Sequence, residues 1–585
     1  MRHQALTVTG LLGCLASVLV SGTPAASQST RSDLVQQSAR LSAFVDRVDV
    51  RVVNVEAVVV DRDGNRVVGL TSENFSLRVD GKAVPISFFS EVRNGHGVAA
   101  SPAREPHSSS NPDSAPKPEI DLGRLSPNQP IRTSYLLFID NYFTSRASQR
   151  NRILDGIEID LGFMGPEDHM AIVAFDGRRP EMLTTWSNSS EEIRDALLKA
   201  RSMPARGFIT TAPGRELRSS LPTDPIDGVG VAGSARPDGL ASDICASIRR
   251  LERRIERTVL GVTSTLRSFA KPPGRKVMMI LSGGWPHSIK DYLTGGPGGG
   301  TTAGALLPAG DCSASGARIY KPIYETANLL GYTIYPVDVP RPPGPAISAA
   351  NSGRHLFDAG QRSPQEIQLN SEFELKSTLQ TLATQTGGRA MIGGDAVGAL
   401  AAVADDLRSY YWLGFTPPWK GDDSSHKIKL SVNQPGLKVR TRKGFQDLSR
   451  QTEVTFVTES ALMFGSLPGA HPLGLEFGQR KNVGRGKVEI SLRLTIPMDA
   501  VTMLPWRGRY QAELELRIAV LNERGERNEI PTIFVPLEGS ELPPPGAHSI
   551  YETSIKIRRQ NHVIVVSLYD PIGDTILATS GRVTF

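Results

Sequence analysis

The feature that most constrains the fold is a short apolar run that ends in an acid, Tyr135–Asp140, followed by polar and aromatic residues up to Ser145. Strands of a parallel sheet are buried on both faces, so they are apolar throughout, as this run is. In open α/β sheets, ligand-binding residues follow the carboxyl ends of the strands. The run therefore predicts a parallel strand that presents Asp140 at the ligand-binding edge of a sheet.

The residues from 131 to about 415 alternate between strand and helix patterns, which is typical of a doubly wound parallel sheet. Ser189 and Ser371 each stand three residues before a glutamate, a capping-box pattern that predicts the start of a helix. The predicted fold class is therefore α/β with a Rossmann-like sheet. Its predicted strands are Tyr135–Asp140, Met170–Phe175, Glu181–Trp186, Lys276–Leu281, Thr333–Val339 and Arg389–Ile392.

The charge pattern gives no indication of nucleic-acid binding, since the net charge is only +6 over 585 residues. The densest basic stretch, Arg249–Arg257, is interleaved with glutamates. It belongs to a predicted helix whose apolar residues recur every three to four positions, so its charges are expected on the solvated face. The apolar stripe consists of Ile248, Leu251, Ile255, Val259, Val262, Leu266 and Phe269.

Strand patterns flank the α/β region on both sides. A small β unit with a hairpin signal at Asp61–Gly64 precedes it, and closing strands at Lys427–Val432 and Lys438–Arg442 are predicted to pack on that unit or continue it. The last region alternates with period two and shows no helix pattern, which predicts a β-sandwich. The predicted organisation is a signal peptide at 1–27, a flexible lead at 28–47, a small β unit at 48–94, a linker at 95–130, the α/β domain with its closing strands at 131–446 and the sandwich at 455–585.

Three stretches rich in Gly, Pro and Ser interrupt the α/β pattern, at 206–242, 285–317 and 340–370. The second and third directly follow strand ends, so we expect them at the ligand-facing edge of the sheet. They are the predicted partner-binding surface, and deletion of 291–311 is expected to leave melting nearly unchanged while abolishing capture of the partner.

The N-terminus combines a short basic segment, an apolar segment and the small residues Thr23–Ser27, which predicts a signal peptide. Lipidation at Cys14 and a retained anchor are the alternatives. The mature protein is therefore predicted to be exported, periplasmic or extracellular, with no transmembrane anchor.

After cleavage only Cys245 and Cys312 remain, and in an oxidising compartment we predict that they form a disulfide. The alternative is two buried, unpaired thiols.

Taken together, the chain resembles the von Willebrand factor A-related proteins of acidobacteria and other soil bacteria, over roughly 48–446. The opening motif is Val60, Asp61, Gly64, Gly69, Leu70, Thr71, Glu73 and Phe75, and the closing motifs are Tyr411, Leu413, Gly414, Phe415 and Pro417, then Arg442, Gly444 and Phe445. The resemblance implies an exported protein without assigned enzymatic activity, whose von Willebrand factor A (VWA) domain binds other proteins.

VWA domains hold a divalent cation in a metal-ion-dependent adhesion site whose first motif is Asp-x-Ser-x-Ser. Here the matching residues are Asp140, Tyr142 and Thr144, and the second loop offers Thr210 or Thr211. The third loop reads Leu-Ser-Gly-Gly where the family has an aspartate. Two of the five positions therefore lack a suitable ligand, which favours a degenerate site without cofactor, with weak Mg²⁺ binding as the alternative. Replacing Gly283 by Asp is expected to restore a ligand.

The sequence contains no recognisable catalytic motif of a metalloprotease, serine hydrolase, phosphate-loop or dinucleotide-binding enzyme. The predicted function is therefore non-enzymatic interaction, of adhesion or assembly type, with an unidentified protein or cell-surface partner. Two alternatives stay open: an envelope structural or assembly factor that acts through the β-sandwich, and a secreted hydrolase built from the insertions.

Overall fold

The structure is a computed structural model that describes residues 52–98, 130–207, 237–270, 272, 274–294, 316–340, 364–469 and 471–585. The chain divides into two compact units, one ending at Asp447 and the other beginning at Leu448. The predicted signal peptide and flexible lead, most of the linker and of the three insertions, Thr210, Thr211 and Cys312 lie outside the described residues.

The first unit is built from strands of three sheets and the helices between them. Its strands are β1 Val53–Val60, β2 Phe75–Val79, β3 Lys82–Ala83, β4 Phe88–Arg93, β5 His96–Gly97, β6 Thr133–Asp140, β7 His169–Phe175, β8 Pro180–Ser187, β9 Arg275–Ser282, β10 Tyr332–Asp338, β11 Tyr410–Phe415, β12 Ser424–Val432, β13 Lys438–Arg440 and β14 Gly444–Asp447. Its helices are α1 Ala147–Ile159, α2 Ser190–Ser202, α3 Pro237–Ser268, α4 Ile289–Thr294, α5 Gly316–Leu330, α6 Pro364–Thr386 and α7 Ala399–Asp406.

The central sheet has the strand order β10-β9-β6-β7-β8, and β6 pairs in parallel with both β7 and β9. Alternate side chains of β6, such as Leu137 and Ile139, enter a core shared with α1, α2 and α7. The intervening Leu136 and Phe138 are also fully buried. Burial on both faces explains why the strand is apolar throughout, and the prediction of a mixed α/β fold is confirmed.

The edge strand β8 differs from the prediction because it runs antiparallel to β7. The two strands are separated only by the turn Asp176–Arg179, in which Gly177 has a φ of +93°. A turn this short can join only antiparallel neighbours, since a parallel pair needs a long crossover. At the other edge, the predicted strand Arg389–Ile392 is reduced to a single parallel bridge between Met391 and Val337.

The two predicted helix starts have different outcomes. Ser189 caps α2, with its side chain accepting a hydrogen bond from the Glu192 backbone N–H. The prediction at Ser371 was wrong, because α6 begins at Pro364 and Ser371 lies buried inside it. The predicted stripe of α3 is buried over its whole length, from Ile248 to Phe269. In the described parts of the chain, no helix is long and apolar enough to cross a membrane.

The flanking strands form a small two-layer sandwich. One sheet has the order β13-β1-β11-β4-β5, the other β14-β12-β2-β3, and their facing side chains share one hydrophobic core. In the first sheet Val55 pairs with Leu413, and in the second Leu77 pairs with Leu430. The strands of the predicted 48–94 unit and the closing strands near 410–447 therefore complete one another, although the whole parallel sheet lies between them in sequence.

Buried charges join this sandwich to the amino edge of the parallel sheet. Arg275, the first residue of β9, forms an ion pair of 2.8 Å with Glu56 of β1, and its side chain is only 3% exposed. Its guanidinium also lies 3.8 Å from the ring centroid of Tyr410. Asp406 forms ion pairs with Arg66 and Arg440, and it accepts a hydrogen bond of 2.7 Å from the Tyr335 hydroxyl. These contacts attach the amino edge of the parallel sheet to the sandwich.

The second unit is a β-sandwich with a helix on its outer face. Its elements are α8 Arg450–Phe464, β15 His471–Pro472, β16 Gly474–Asn482, β17 Lys487–Pro497, β18 Leu504–Trp506, β19 Arg509–Asn522, β20 Thr532–Gly539, β21 His548–Arg558, β22 His562–Asp570 and β23 Thr575–Val583. A sheet of order β15-β23-β22-β19-β18, with β20 also paired to β19, packs on the sheet β16-β17-β21.

Helix α8 overlaps the start of the region 455–585, for which the sequence analysis predicted strands and no helix. Its β-branched residues, such as Val454 and Thr458, favour strands, but those two positions are buried at helical spacing against the sheet. The Thr458 hydroxyl lies 2.6 Å from that of Ser567 on β22. Ser449 caps the helix and Gly465, with a φ of 83°, ends it. Tertiary burial and caps therefore override the local strand preference.

We predict that Glu56→Gln destabilises the first unit by about 3 kcal/mol or more, because it leaves the buried Arg275 charge without its carboxylate. The matched control is Glu167→Gln, which removes the partner of Arg132 from a pair that is 36% and 56% exposed. That change is expected to cost less than about 1 kcal/mol. Urea unfolding of both variants measures the difference, and equal losses would contradict the structural role of the pair.

Candidate functional site

The candidate site lies where β6 ends, at Asp140. This residue is fully buried, and its Oδ1 accepts hydrogen bonds of 3.1 Å from the backbone N–H groups of both Tyr142 and Phe143. Those two N–H groups belong to the turn between the strand and α1, where backbone donors have no partner within a regular element. The end of the central strand thus supplies half of the donors that a buried carboxylate requires.

The other carboxylate oxygen receives two donors from the neighbouring strand. Asp140 Oδ2 accepts a hydrogen bond of 2.7 Å from the hydroxyl of Ser282, at the end of β9, and one of 2.8 Å from the indole N–H of Trp285. Gly284, with a φ of +83°, turns the chain between these donors, and a Cβ there would lie only 2.8 Å from the Cβ of Leu375. Four donors from two adjacent strand ends therefore surround one buried carboxylate.

Burial raises the pKa of Asp140 to about 6, against the opposing effect of its hydrogen bonds from Ser282, Trp285 and the backbone. Desolvation penalises the charged form, whereas donors to the carboxylate favour it. The carboxylate is therefore mainly ionised at neutral pH, and its charge is balanced by hydrogen bonds from the chain itself.

The other residues of the predicted metal motif, Tyr142 and Thr144, make contacts within the protein. The Thr144 hydroxyl is buried and donates a hydrogen bond of 2.6 Å to the backbone carbonyl of Asp140. The Tyr142 ring is buried edge-on against Phe143 and Phe175, at centroid distances of 5.2 and 6.2 Å. The structure thus places Asp140 and Thr144 side by side, with the Thr144 hydroxyl already used in a bond to the backbone.

The second predicted loop reaches the same edge. The backbone N–H groups of Arg206 and Gly207 donate to the carbonyls of Asn141 and Thr144, at 2.8 and 2.9 Å. Thr210 and Thr211 lie beyond the described residues, so their role as ligands stays a prediction.

The expectation that Gly283→Asp would restore a metal ligand was wrong. A Cβ on Gly283 would lie 2.6 Å from the backbone oxygen of Phe143. Side chains do not approach a backbone oxygen so closely, and the oxygen belongs to the turn that supplies donors to Asp140. Any side chain at position 283 would therefore displace the first loop rather than complete a coordination shell.

Trp285 stands on a rigid base formed by α5 and α6. Its ring stacks on Tyr320 with a centroid distance of 5.9 Å, and the Tyr320 hydroxyl donates 2.6 Å to the carbonyl of Pro286. The Ser288 backbone N–H donates a hydrogen bond of 2.6 Å to Glu374 Oε2. The backbone N–H of His287 donates one to the Glu374 carbonyl. We call residues 285–288 with Tyr320 and Glu374 the Trp285 platform.

A fully buried arginine holds the first loop from the opposite side. Arg150 of α1 donates to the side-chain oxygen of Asn141 and to the carbonyls of Arg201 and Met203, at 3.0 and 2.9 Å for the two carbonyls. Burial lowers the pKa of Arg150 to about 10. Those carbonyls lie at the negative end of α2, which favours a cation there. Sequence reasoning missed Arg150 and Trp285 and gave Ser282 no role, since their contacts join residues far apart in the chain.

Cys245, predicted to pair with Cys312, is disulfide-bonded in the structure. Cys312 lies outside the described residues, so the identity of the pair stays a prediction.

No protein-family model and no curated protein match this chain. Three solved structures are weakly similar. The SpRpn10 VWA domain is 10% identical over 40% of this chain and 98% of that chain, with a TM-score of 0.13. The pilus adhesin SpaC from Lactobacillus rhamnosus GG is 9% identical over 77% and 53% of the two chains, with a TM-score of 0.24. The β-glucuronidase of Bacteroides uniformis is 11% identical over 30% and 19%, with a TM-score of 0.15. Likenesses this weak do not assign a function.

We predict a pH-dependent difference in stability between the wild type and Asp140→Asn. The folded pKa of about 6 lies above the ordinary 3.8, so the stabilisation from the neutral acid is present below about pH 4 and lost as the pH rises through 6. Two pKa units correspond to about 3 kcal/mol. Urea unfolding of both proteins from pH 4 to 7 should show the wild type losing that amount relative to Asp140→Asn, whereas a constant difference would contradict the burial of an ionisable Asp140.

Proposed function

We propose that this chain is an exported, non-enzymatic protein-interaction protein built on a VWA-like domain with a degenerate metal-ion-dependent adhesion site. The proposal draws on the sequence resemblance over 48–446, on the parallel sheet and on the position of Asp140 at the end of its central strand. Partner recognition at this edge would proceed without a resident cation.

The observation that carries the proposal is the complete hydrogen bonding of Asp140. Both of its oxygens already accept two donors each, including Ser282 and Trp285. A cation that used this carboxylate would have to displace these donors and reopen a fully buried site. Removing donors from a buried polar group costs about 1–3 kcal/mol for each group left unpaired. The site therefore favours the metal-free state.

The same geometry argues against catalysis at this edge. The hydroxyls of Ser282 and Thr144 are both buried, and both donate inward, to the carboxylate and to the carbonyl of Asp140. A nucleophilic hydroxyl must be accessible to the substrate, and neither of these buried hydroxyls is. We therefore propose a binding role and no enzymatic activity.

The proposed partner surface surrounds the Trp285 platform. On α6, Leu369 and Phe373 are each 66% exposed and lie one helical turn apart. The neighbouring residue Glu374 belongs to the platform and accepts a hydrogen bond from Ser288, and Leu375 lies against Gly284, next to the platform. The apolar pair therefore lies beside the edge from which the insertions 285–317 and 340–370 leave the sheet. Exposed apolar side chains beside loops on a rigid base suit a protein partner with an apolar contact surface.

The deletion of 291–311 suggested by the sequence is not a clean test of this surface. Ile289 and Tyr292 of α4 are buried, at 1% and 6% exposure, so a deletion that begins at 291 would also remove core packing. A linker in place of 296–308 avoids α4 and retains Cys312.

We expect the double variant Leu369→Ala, Phe373→Ala to lower the amount of partner captured from envelope and culture supernatant at least tenfold, because central apolar anchors dominate binding energy. The matched control is Phe163→Ala. Phe163 is 54% exposed but follows α1, and α1 leads away from the carboxyl edge, so this change should leave capture intact. Tagged mature protein as bait and quantitative mass spectrometry measure the result. Equal capture by the double variant and by Phe163→Ala would contradict the proposal that this surface binds the partner.

A second candidate is an assembly role for the C-terminal sandwich. The observation that favours it is a cavity of about 440 Å³ on that unit, within the size range of ligand sites. Its lining residues are His471, Pro472, Leu473, Gly474, Thr495, Pro497, Asp499, Ala500 and His548. Retained capture by the α6 double variant, together with loss after substitutions in this cavity, would favour this role.

Export is the remaining part of the proposal. It draws on the predicted signal peptide, which lies outside the described residues, and on the disulfide at Cys245, since disulfides persist in oxidising compartments.

A further inference from the structure

A second cluster of metal-ligating side chains lies in the small sandwich of the first unit, away from Asp140. Strands β12 and β14 pair so that Ser424 faces Asp447 and His426 faces Phe445. Side chains two positions apart share one face of a sheet, so His426 and Asp447 are diagonal neighbours. Asp422, in the turn before β12, completes the group, and one ligand atom from each of the three residues lies within 4.8 Å of the others.

The imidazole of His426 is oriented by groups outside this cluster. Its Nδ1 lies 2.7 Å from Asp80 Oδ2, and its ring stacks on Phe445 with a centroid distance of 4.9 Å. Asp80 is itself held by the Lys427 backbone N–H, which donates 2.8 Å to its Oδ1. A carboxylate on one ring nitrogen is the usual arrangement behind a metal-binding histidine, because it fixes the tautomer and leaves the other nitrogen available. Here the other atom is Nε2, which lies 3.1 Å from the Ser424 hydroxyl, so a bound cation would replace that hydrogen bond.

Of the two carboxylates, Asp422 is exposed and Asp447 is buried. Asp447 is 2% exposed and accepts only the backbone N–H groups of Lys420 and Gly421, at 2.7 and 3.0 Å. Asp422 accepts hydrogen bonds from the backbone N–H and the hydroxyl of Ser424. Among the described residues, neither acid forms an ion pair with a lysine or arginine. A buried carboxylate without a cation is costly.

We propose that Asp422, His426 and Asp447 bind one divalent transition-metal cation of the Zn²⁺ class, with Asp80 as the carboxylate that positions His426. One imidazole nitrogen and two carboxylate oxygens match the ligands of Zn²⁺, and three protein ligands leave a fourth position for water or another donor. Mg²⁺ and Ca²⁺ prefer oxygen ligands throughout, so the imidazole selects against them.

The bound cation would join β14 to β12 and the turn before it, and it would hold Asp80 indirectly, through His426. Asp422 belongs to the turn before β12, Asp447 ends β14, and Asp80 lies in the turn between β2 and β3. Binding would therefore stabilise a sheet assembled from distant parts of the chain. The site is independent of Asp140 and of the proposed partner surface.

The test is isothermal titration of the chelator-treated mature protein with ZnCl₂. The informative variant is Asp422→Asn, because the amide oxygen can still accept from Ser424 while the ligand charge is removed. Its matched control is Asp423→Asn, the same change one residue away, at a φ of 59° that asparagine tolerates. Asp80→Asn tests the positioning role, and thermal unfolding without metal shows whether each variant is folded.

We expect saturable 1:1 binding by the wild type and by Asp423→Asn, and at least tenfold weaker binding by Asp422→Asn. Asp80→Asn should weaken binding about tenfold or more, as loss of an orienting carboxylate does at known sites. An anomalous diffraction peak at the zinc edge between the three side chains would complete the result. Absence of saturable binding, equal affinity of the two Asn variants at 422 and 423, or a peak elsewhere, such as at the exposed His471, would overturn the proposal.

Discussion

The interaction on which the candidate site depends is the satisfaction of one buried carboxylate by the chain itself. Asp140 ends the central strand in a position where a charge needs either a cation or several donors. The fold supplies donors from two places: the turn after β6, and the Ser282 and Trp285 side chains that follow β9. A residue that resembles a metal ligand in sequence therefore acts as the hydrogen-bonded centre of the sheet edge.

The two edges of the parallel sheet have different tasks for a physical reason. At the amino edge, the Arg275–Glu56 pair and the Asp406 cluster join the sheet to a sandwich made from both flanks of the chain. Opening that junction is costly, because breaking a buried ion pair leaves a buried charge without its partner. The carboxyl edge carries the Trp285 platform, at the point where the chain leaves β9.

Sequence reasoning succeeded where burial alone determines the pattern. The strand that ends at Asp140 and the stripe from Ile248 to Phe269 are apolar because both are enclosed, and both were predicted. It failed where a contact between distant residues decides the structure. Helix α8 forms from strand-favouring residues because it is buried on a sheet, and the indole of Trp285 reaches a carboxylate 145 positions away. The short turn before β8 could have predicted an antiparallel strand. The alternation of strand and helix patterns favoured a parallel one instead.

The most direct test of the account is isothermal titration of the mature protein with Mg²⁺, a cation that prefers oxygen ligands. The account predicts no binding tighter than about millimolar, the weak end of the range for oxygen-ligand sites, because each oxygen of Asp140 already accepts two donors. The same titration of Asp140→Asn should look alike. Micromolar Mg²⁺ binding by the wild type that is lost in Asp140→Asn but retained in Asp422→Asn would contradict it and restore a working adhesion site at the sheet edge.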